Sequence, residues 1–318
     1  MTIPIWGNAA FTPLKLVQTI PLPGVEGRID HFALDFDGAR LFVAALENST
    51  VEVIDLKAGK RAQTINDLHE PQGILFIKEL NKLIISNGEG GAVDILDGSS
   101  FERTNRIQFS NDADNLRYDA SSKMVYVGYG TGGLGLIDLN TLKRAGDISL
   151  GKHPESFQLE SSGCHIFVNL PPSRVAVIDK QAGKISSDWS LIPSALSFNY
   201  PMALDETHRR LFIGTRFPAR LAVLDSQSGK MIARMKCVGD PDDVFYDERR
   251  KRIYISGGSG SIDVFEQSDP DHYRLLSNVA TADGARTSFF SPESAHLYLA
   301  VPHQGKQQAE IRVYDVLP

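Results

Sequence analysis

Carboxylates occur in five of seven short segments of this chain, and each of the seven segments precedes an apolar run. The segments are four residues long and begin at positions 28, 70, 112, 153, 198, 240 and 284. Together they hold eight acidic residues and two arginines, a formal balance of −6 that equals the net charge of the whole chain. Carboxylates that converge in a low-dielectric site repel one another unless a cation, an arginine or a shared proton intervenes. Convergence of these segments would therefore create a site for a cation or a polar ligand.

Histidines close to the same segments add nitrogen ligands and candidate general bases. His31, His69 and His153 lie in or beside the segments, and His303 lies in a long loop before the last apolar repeat. Two or three nitrogen or oxygen atoms from different segments would bind a metal ion, so a metal site is permitted. The acidic stretches at 111 and 240 lack the glycine and the distal glutamate of a calcium loop. The spacing identifies neither a metal nor a cofactor.

Two repeated motifs indicate which elements must position these segments. The first motif reads apolar, any, apolar, apolar, acid, as in VEVID at 51 to 55. Its seven copies end at Asp55, Asp97, Asp138, Asp179, Asp225, Glu266 and Asp315. The second is an apolar unit upstream of each copy, as in LFVA at 41, and its middle residue is aromatic in six of the seven copies. Short β-branched and aromatic runs bounded by Gly, Asp, Asn and Ser predict strands and turns.

Four strands, A to D, fit each repeat, and repeats of about 40 to 50 residues with four strands are typical of a β-propeller. The sequence therefore predicts an all-β, seven-bladed propeller with four antiparallel strands per blade, forming one domain over residues 1–318. The segment 12–20 would supply the outer strand of the last blade and close the ring, which removes an open sheet edge. The predicted blades cover approximately 28–65, 70–108, 112–150, 153–191, 198–237, 240–279 and 284–318 plus 12–20.

The motif pair, as in RLFVAALENSTVEVIDLKAGK at 40 to 60, resembles the YncE-like, YVTN-repeat family of bacterial seven-bladed propellers. The resemblance extends over essentially the whole chain. That family is similar in shape to quinoprotein-type and lactonase-type propellers, and many of its members are exported, so the resemblance implies a periplasmic or extracellular protein. The first twenty residues do not read as an export signal, which leaves a cytoplasmic location open.

Composition narrows the classes of partner. A formal charge of −6 and a pI near 5.8 argue against a nucleic-acid partner. No apolar stretch reaches the roughly 18 residues of a membrane-spanning helix, so we expect no membrane insertion. Two cysteines cannot form a disulfide framework. Counting strands places Cys164 and Cys237 on opposite faces of the propeller, about 20 Å apart and too distant for a disulfide bond.

The loops that enter strand A and those that join strands B and C meet at one mouth of a propeller's channel, so the seven polar segments are expected to form an acidic funnel there. The leading hypothesis is a binding protein whose funnel takes a small polar molecule, a cation or a partner's basic loop. The predicted ligand-binding residues are Arg28, Asp30, His31, Gln72, Asp114, Asn115, Arg117, His153, Glu155, Tyr200, Asp242, Asp243, Arg286 and His303.

Two alternatives to simple binding stay open at this stage. In an enzyme of lactonase or lyase type, His31 or His153 would act as general base, and Arg286 or Arg28 would stabilise an oxyanion. A purely structural or adhesive propeller would instead bind through its rim. Arg117 interrupts the apolar run of its strand and is either a counterion of the funnel or part of an ion pair within the blade wall.

Overall fold

A computed structural model describes residues 12–130, 132–191 and 198–318 of the chain. These residues form seven four-stranded sheets, and the strands within every sheet pair antiparallel. The first strand of each sheet contacts the first strands of its two neighbours, so the inner strands form a closed ring. The chain is thus a seven-bladed β-propeller, as its repeats predict.

Strands follow one another radially within each of the first four blades. Blade 1 contains β2 (Phe32–Asp35), β3 (Arg40–Ala45), β4 (Thr50–Asp55) and β5 (Lys60–Ile65). Blade 2 contains β6 (Pro71–Ile77), β7 (Lys82–Asn87), β8 (Ala92–Asp97) and β9 (Arg103–Gln108). Blade 3 contains β10 (Ala113–Asp119), β11 (Met124–Tyr129), β12 (Gly133–Asp138) and β13 (Lys143–Ser149). Blade 4 contains β14 (Phe157–Leu159), β15 (His165–Leu170), β16 (Arg174–Asp179) and β17 (Lys184–Ser190).

The remaining blades repeat this order, except that the last one takes its outer strand from the start of the chain. Blade 5 contains β18 (Asn199–Asp205), β19 (Arg210–Arg216), β20 (Ala219–Asp225) and β21 (Met231–Lys236). Blade 6 contains β22 (Pro241–Asp247), β23 (Arg252–Gly257), β24 (Ser261–Asp269) and β25 (His272–Ala280). Blade 7 contains β26 (Ser288–Ser291), β27 (His296–Val301), β28 (Glu310–Val316) and β1 (Leu14–Pro21).

Helices are nearly absent from the described ranges. Two short 3₁₀ helices, Lys78–Leu80 and Glu89–Gly91, lie in the loops of blade 2. Within the same ranges no helix has the length and apolar character needed to cross a lipid bilayer.

The acid that ends the repeated motif shapes the turn between the two outer strands of a blade. The Oδ1 atom of Asp55 accepts hydrogen bonds from the backbone N–H groups of Lys57 and Ala58, both at 2.9 Å. Asp179 makes the same two bonds to Gln181 and Ala182 at 2.8 Å. A short carboxylate that binds the backbone two and three residues ahead sets a tight turn. Asp97, Asp138 and Asp225 also accept backbone hydrogen bonds in their turns, so five of the seven periodic acids are structural residues of the blade rim.

Large apolar side chains fill the space between neighbouring blades. Six blades place an aromatic residue in the middle of their second strand, and each of these side chains is buried: Phe42, Tyr126, Phe167, Phe212, Tyr254 and Tyr298. Seven separate apolar clusters result, distributed around the ring. Because a blade cannot bury both of its faces alone, each sheet depends on contact with its neighbours for stability.

Strand β1 pairs antiparallel with β28 from Leu14 opposite Val316 to Pro21 opposite Glu310. This pairing confirms the predicted closure by the N-terminal segment. Leu14 and Ile20 are fully buried, whereas Val17 on the same strand is 45% exposed.

Replacing Ile20 by Ala tests the contribution of this closure. Ile20→Ala removes a buried side chain that packs between blades 7 and 1, so we expect a loss of about 2–5 kcal/mol of unfolding free energy. Val17→Ala is the matched control on the same strand and should change stability by less than about 1 kcal/mol. Equal losses in chemical denaturation would contradict the role assigned to β1.

Both cysteines are free, as the strand count predicts, and they differ in exposure: Cys164 is exposed and Cys237 is buried. Burial raises the pKa of the Cys237 thiol to about 12. Because the thiolate is the reactive form, a thiol reagent near pH 8 should modify one group in the folded chain and two after denaturation. A Cys164→Ser variant should show no native labelling, and modification of that variant before unfolding would contradict the burial of Cys237.

Candidate functional site

The starts of the seven inner strands surround a cavity of about 830 Å³ at one mouth of the central channel. Every blade contributes polar side chains to its wall. Its ionisable residues comprise seven carboxylates, four arginines and two histidines: Asp30, Glu70, Asp112, Asp114, Glu155, Asp242, Asp243, Arg28, Arg117, Arg216, Arg286, His31 and His153. With neutral histidines the wall has a formal charge of −3. We call this volume the axial cavity.

Irregular backbone directs side chains into the axial cavity in blades 2, 3, 5 and 6. The inner strand of each of these blades begins with a register shift against its partner strand. A non-glycine residue with a left-handed backbone comes just before or at each shift: Glu70, Asp112, Phe198 and Asp240, with φ of 51°, 43°, 49° and 52°. Bulges of this kind commonly turn a side chain towards a site at the edge of a sheet.

Small polar residues on the second strands hold the neighbouring loops in place. The Ser86 hydroxyl donates to the backbone carbonyl of Asp114 in the next blade. Asn169 donates from Nδ2 to the carbonyl of Tyr200 at 2.9 Å. Ser256 donates to the carbonyl of Arg286 at 2.6 Å. Each of these bonds connects two blades and fixes the backbone of a residue that lines the axial cavity.

The structure brings thirteen of the fourteen predicted ligand-binding residues to the wall of the axial cavity: Arg28, Asp30, His31, Gln72, Asp114, Asn115, Arg117, His153, Glu155, Tyr200, Asp242, Asp243 and Arg286. The fourteenth lies elsewhere. His303 faces an adjacent recess of about 280 Å³, and its Nδ1 atom lies 2.7 Å from the Glu26 carboxylate. Arg28 and Arg286 line both this recess and the axial cavity. His69 is also outside the cavity and lies beside Glu89.

Three charged residues of the cavity wall are absent from the predicted set: Glu70 and Asp112, which belong to the polar segments, and Arg216, which lies outside them. Arg216 is the last residue of β19 and comes just before the loop between the second and third strands of blade 5. The acidic funnel was predicted only from the segments that precede the inner strands. Its Nε atom lies 2.9 Å from Asp240, its Nη2 atom forms an ion pair with Asp242, and its guanidinium lies 4.0 Å from the ring centroid of Tyr200. The loops joining strands B and C meet at the same mouth, so a search of those loops for charge would have found Arg216.

Three of the four arginines are paired with carboxylates of the cavity mouth. Arg286 lies 3.0 Å from Asp240 and 3.2 Å from Asp242, so it shares both acids with Arg216. Arg28 lies 2.8 Å from Asp30. The attraction of Asp30 raises the pKa of Arg28 against the opposing effect of burial. These pairs neutralise one part of the acidic wall.

Arg117 is the fourth arginine, and it lines the axial cavity, where the charges of Asp243 and Asp114 act on it from beyond ion-pair distance. Within the described ranges no carboxylate oxygen lies within 4.0 Å of its guanidinium. Its Nη1 atom donates to the carbonyl of Leu116 at 2.8 Å, and the guanidinium lies 5.5 Å from the ring centroid of Phe157. Burial lowers the pKa of Arg117, and the charges of Asp243 and Asp114 partly offset that effect.

The other part of the wall contains three carboxylates without such a partner. No arginine or lysine nitrogen among the described residues lies within 4.0 Å of Asp114, Glu155 or Asp243. Burial raises the pKa of Asp114 to about 7, with His31 opposing the rise and Asp30 adding to it. Burial also raises the pKa of Glu155, and it raises that of Asp243 well above its usual value. Blades 3, 4 and 6 therefore each contribute a buried acidic group whose neutral form is favoured by burial.

Comparison with known proteins supports the fold. No protein-family model and no curated protein matches the chain. A solved chain of hydrazine synthase from Kuenenia stuttgartiensis superposes with a TM-score of 0.74 at 15% identity, covering 87% of this chain and 94% of that one. A chain of a mitotic checkpoint complex superposes with a TM-score of 0.81 at 12% identity, covering 100% and 96%. At these identities the similarity shows a shared propeller fold.

The unpaired state of Asp243 predicts a stability change that depends on pH. Its raised pKa means that the folded chain holds a proton there to higher pH than the unfolded chain, so stability falls as pH rises above about 4. Asp243→Asn should therefore raise the melting temperature at pH 8 and change it little near pH 4. The backbone N–H of Ser288, which donates to Asp243 at 2.8 Å, retains an acceptor in the variant.

Asp97→Asn is the control, and its expected change in melting temperature at pH 8 has the opposite sign. Backbone hydrogen bonds from Ser100 and Ser99 lower the pKa of Asp97, so its neutral replacement should reduce stability at pH 8 and have no effect at low pH. A lower melting temperature for Asp243→Asn at pH 8 would show that this carboxylate has a stabilising partner.

Proposed function

We propose that the chain is a binding protein whose axial cavity takes a small polar ligand carrying a positive charge, such as a protonated amine. The observation that supports this proposal most directly is the set of unpaired carboxylates, Asp114, Glu155 and Asp243, which share one cavity wall. A ligand cation would make the direct ionic contact with these groups that no described arginine or lysine makes. Buried carboxylates without such a partner destabilise a folded chain.

The dimensions and polarity of the axial cavity agree with a small-molecule ligand. A volume of about 830 Å³ falls within the range of roughly 300–1,000 Å³ that is usual for ligand pockets. Tyr200, Phe245 and Phe289 also line the wall, so part of a ligand could pack against aromatic surface. The similar chain in the mitotic checkpoint complex belongs to a protein assembly, and a basic loop of a partner is the alternative occupant.

The enzymatic alternative receives less support from the geometry. His31 and His153 do face the axial cavity, as a general base would. However, Arg28 and Arg286, the two candidates for oxyanion stabilisation, already form ion pairs at 2.8 and 3.0 Å. An arginine that is already paired with a carboxylate stabilises a developing oxyanion only weakly, because the carboxylate compensates its positive charge.

A ligand panel in the presence of EDTA tests the proposal. Putrescine, spermidine, choline, arginine, glucose and succinate should be added to the full chain, with binding measured by calorimetry and by thermal shift. We expect at least one of the amines to bind and to raise the melting temperature, and succinate and glucose not to bind. Asp243→Asn should weaken amine binding by about tenfold or more, the equivalent of about 1.4 kcal/mol.

Asp138→Asn is the matched control, because Asp138 lies in a rim turn and binds the backbone N–H of Asn140. This variant should bind the amines as the wild type does. Failure of every amine, or equal binding by the wild type and Asp243→Asn, would overturn the proposal. Binding of succinate alone would show that the axial cavity prefers an anion, which would also overturn the proposal.

A further inference from the structure

Three side chains of the axial cavity form a compact cluster of metal-ligating groups. Asp114 lies at the start of β10, and His153 and Glu155 lie in the loop before β14. One ligand atom from each residue lies within 4.8 Å of the other two. The cluster therefore spans two neighbouring blades and combines one imidazole nitrogen with two carboxylate oxygens.

The orientation of His153 is the first argument for a cation at this cluster. Its Nδ1 atom lies 3.1 Å from the backbone carbonyl oxygen of Gly130. Because a carbonyl can only accept, this contact requires the proton on Nδ1 and leaves the lone pair of the neutral ring on Nε2. A histidine that binds a metal commonly donates its other nitrogen to a carbonyl or carboxylate in this way, which fixes the tautomer and the ring orientation.

The contact on the other side of the ring is the second argument. The His153 Nε2 atom faces the Oδ2 atom of Asp114 at 3.9 Å, which is too long for a hydrogen bond. When the ring is neutral and the carboxylate is ionised, both atoms present lone pairs, and a proton or a metal cation between them relieves the repulsion. Glu155 adds a third lone-pair donor to the same space. Asp114 is 8% exposed, so water provides little compensation for its charge.

The spacing permits coordination after small side-chain movements. An ion between atoms no more than 4.8 Å apart lies within about 2.8 Å of each of them. Bonds of about 2.0–2.2 Å to nitrogen and carboxylate oxygen then require inward shifts of less than about 1 Å. The backbone that carries these ligands is fixed, because Ser86 binds the carbonyl of Asp114 and the N–H of Glu155 donates to Asn169 at 3.0 Å.

We propose that Asp114, His153 and Glu155 bind a divalent transition-metal ion of the Mn²⁺, Fe²⁺ or Zn²⁺ class. One imidazole with two carboxylates suits these ions better than Ca²⁺, which takes six to eight oxygen ligands, or Mg²⁺, which retains several waters. The ion would occupy one side of the axial cavity and would leave the Asp243 side to the organic ligand of the proposed function. Three protein ligands leave the remaining coordination positions to water.

Calorimetric titration of the full chain, stripped with EDTA and dialysed, tests the metal site with MnCl₂ and ZnCl₂, using MgCl₂ for comparison. We expect one Mn²⁺ or Zn²⁺ per chain and much weaker binding of Mg²⁺. His153→Gln and Glu155→Gln should each lower the affinity for Mn²⁺ by about tenfold or more. Electron paramagnetic resonance of bound Mn²⁺ provides a second readout.

His69→Gln is the matched control, since His69 lies outside the axial cavity and its ring is 3.7 Å from Glu89. This variant should bind Mn²⁺ as the wild type does. Circular dichroism melts identify any variant that has lost its fold, and Glu155→Gln provides an independent test if His153→Gln is unfolded. No Mn²⁺ or Zn²⁺ binding, or unchanged binding in the folded cavity variants, would overturn the metal site.

The amine panel measured in EDTA separates the two proposals. Amine binding without metal binding would overturn the metal site alone. Metal binding without amine binding would overturn the amine site alone. If neither an amine nor a metal binds, both proposals fail.

Discussion

A four-stranded blade cannot bury both faces of its sheet by itself, so the whole structure depends on contact between neighbouring blades around a closed ring. Each apolar cluster lies between two blades, and the last of these interfaces depends on β1 pairing with β28. Ring closure also brings the seven inner strands together around one channel. Polar residues that are distant in sequence consequently face one volume, and the electrostatic properties of the axial cavity follow from that geometry.

Much of this architecture could be predicted from the sequence because the repeated motifs have local physical causes. The periodic acids set rim turns such as the one at Asp55, and the aromatic residue of the second strand fills the interface between blades. These patterns predict the number of blades, the antiparallel pairing and the origin of the closing strand. The convergence of the polar segments then follows from the known geometry of a propeller.

Finer features of the site depend on interactions that local patterns do not encode. Arg216 comes from a loop outside the searched segments, and its pairing with Asp240 and Asp242 involves side chains of two blades. The direction of His303 depends on the path of a long loop. The register shifts have a weak sequence signal, because Phe198 is not a residue type that marks a left-handed backbone. Which carboxylates remain unpaired is therefore visible only in three dimensions.

The left-handed residues at the cavity mouth also affect how this protein can change during evolution. Glu70, Asp112 and Asp240 adopt a backbone that costs an L-residue roughly 1–2 kcal/mol and that glycine adopts freely. Drift towards glycine at these positions would relieve strain and preserve the bulges. It would also remove contacts such as the hydrogen bond from Gln72 to Asp112 at 3.0 Å and the ion pair between Arg286 and Asp240. If the proposed binding is the reason that these residues persist, a lineage released from it would be expected to accumulate glycine at the mouth while keeping its rim turns and its closed ring.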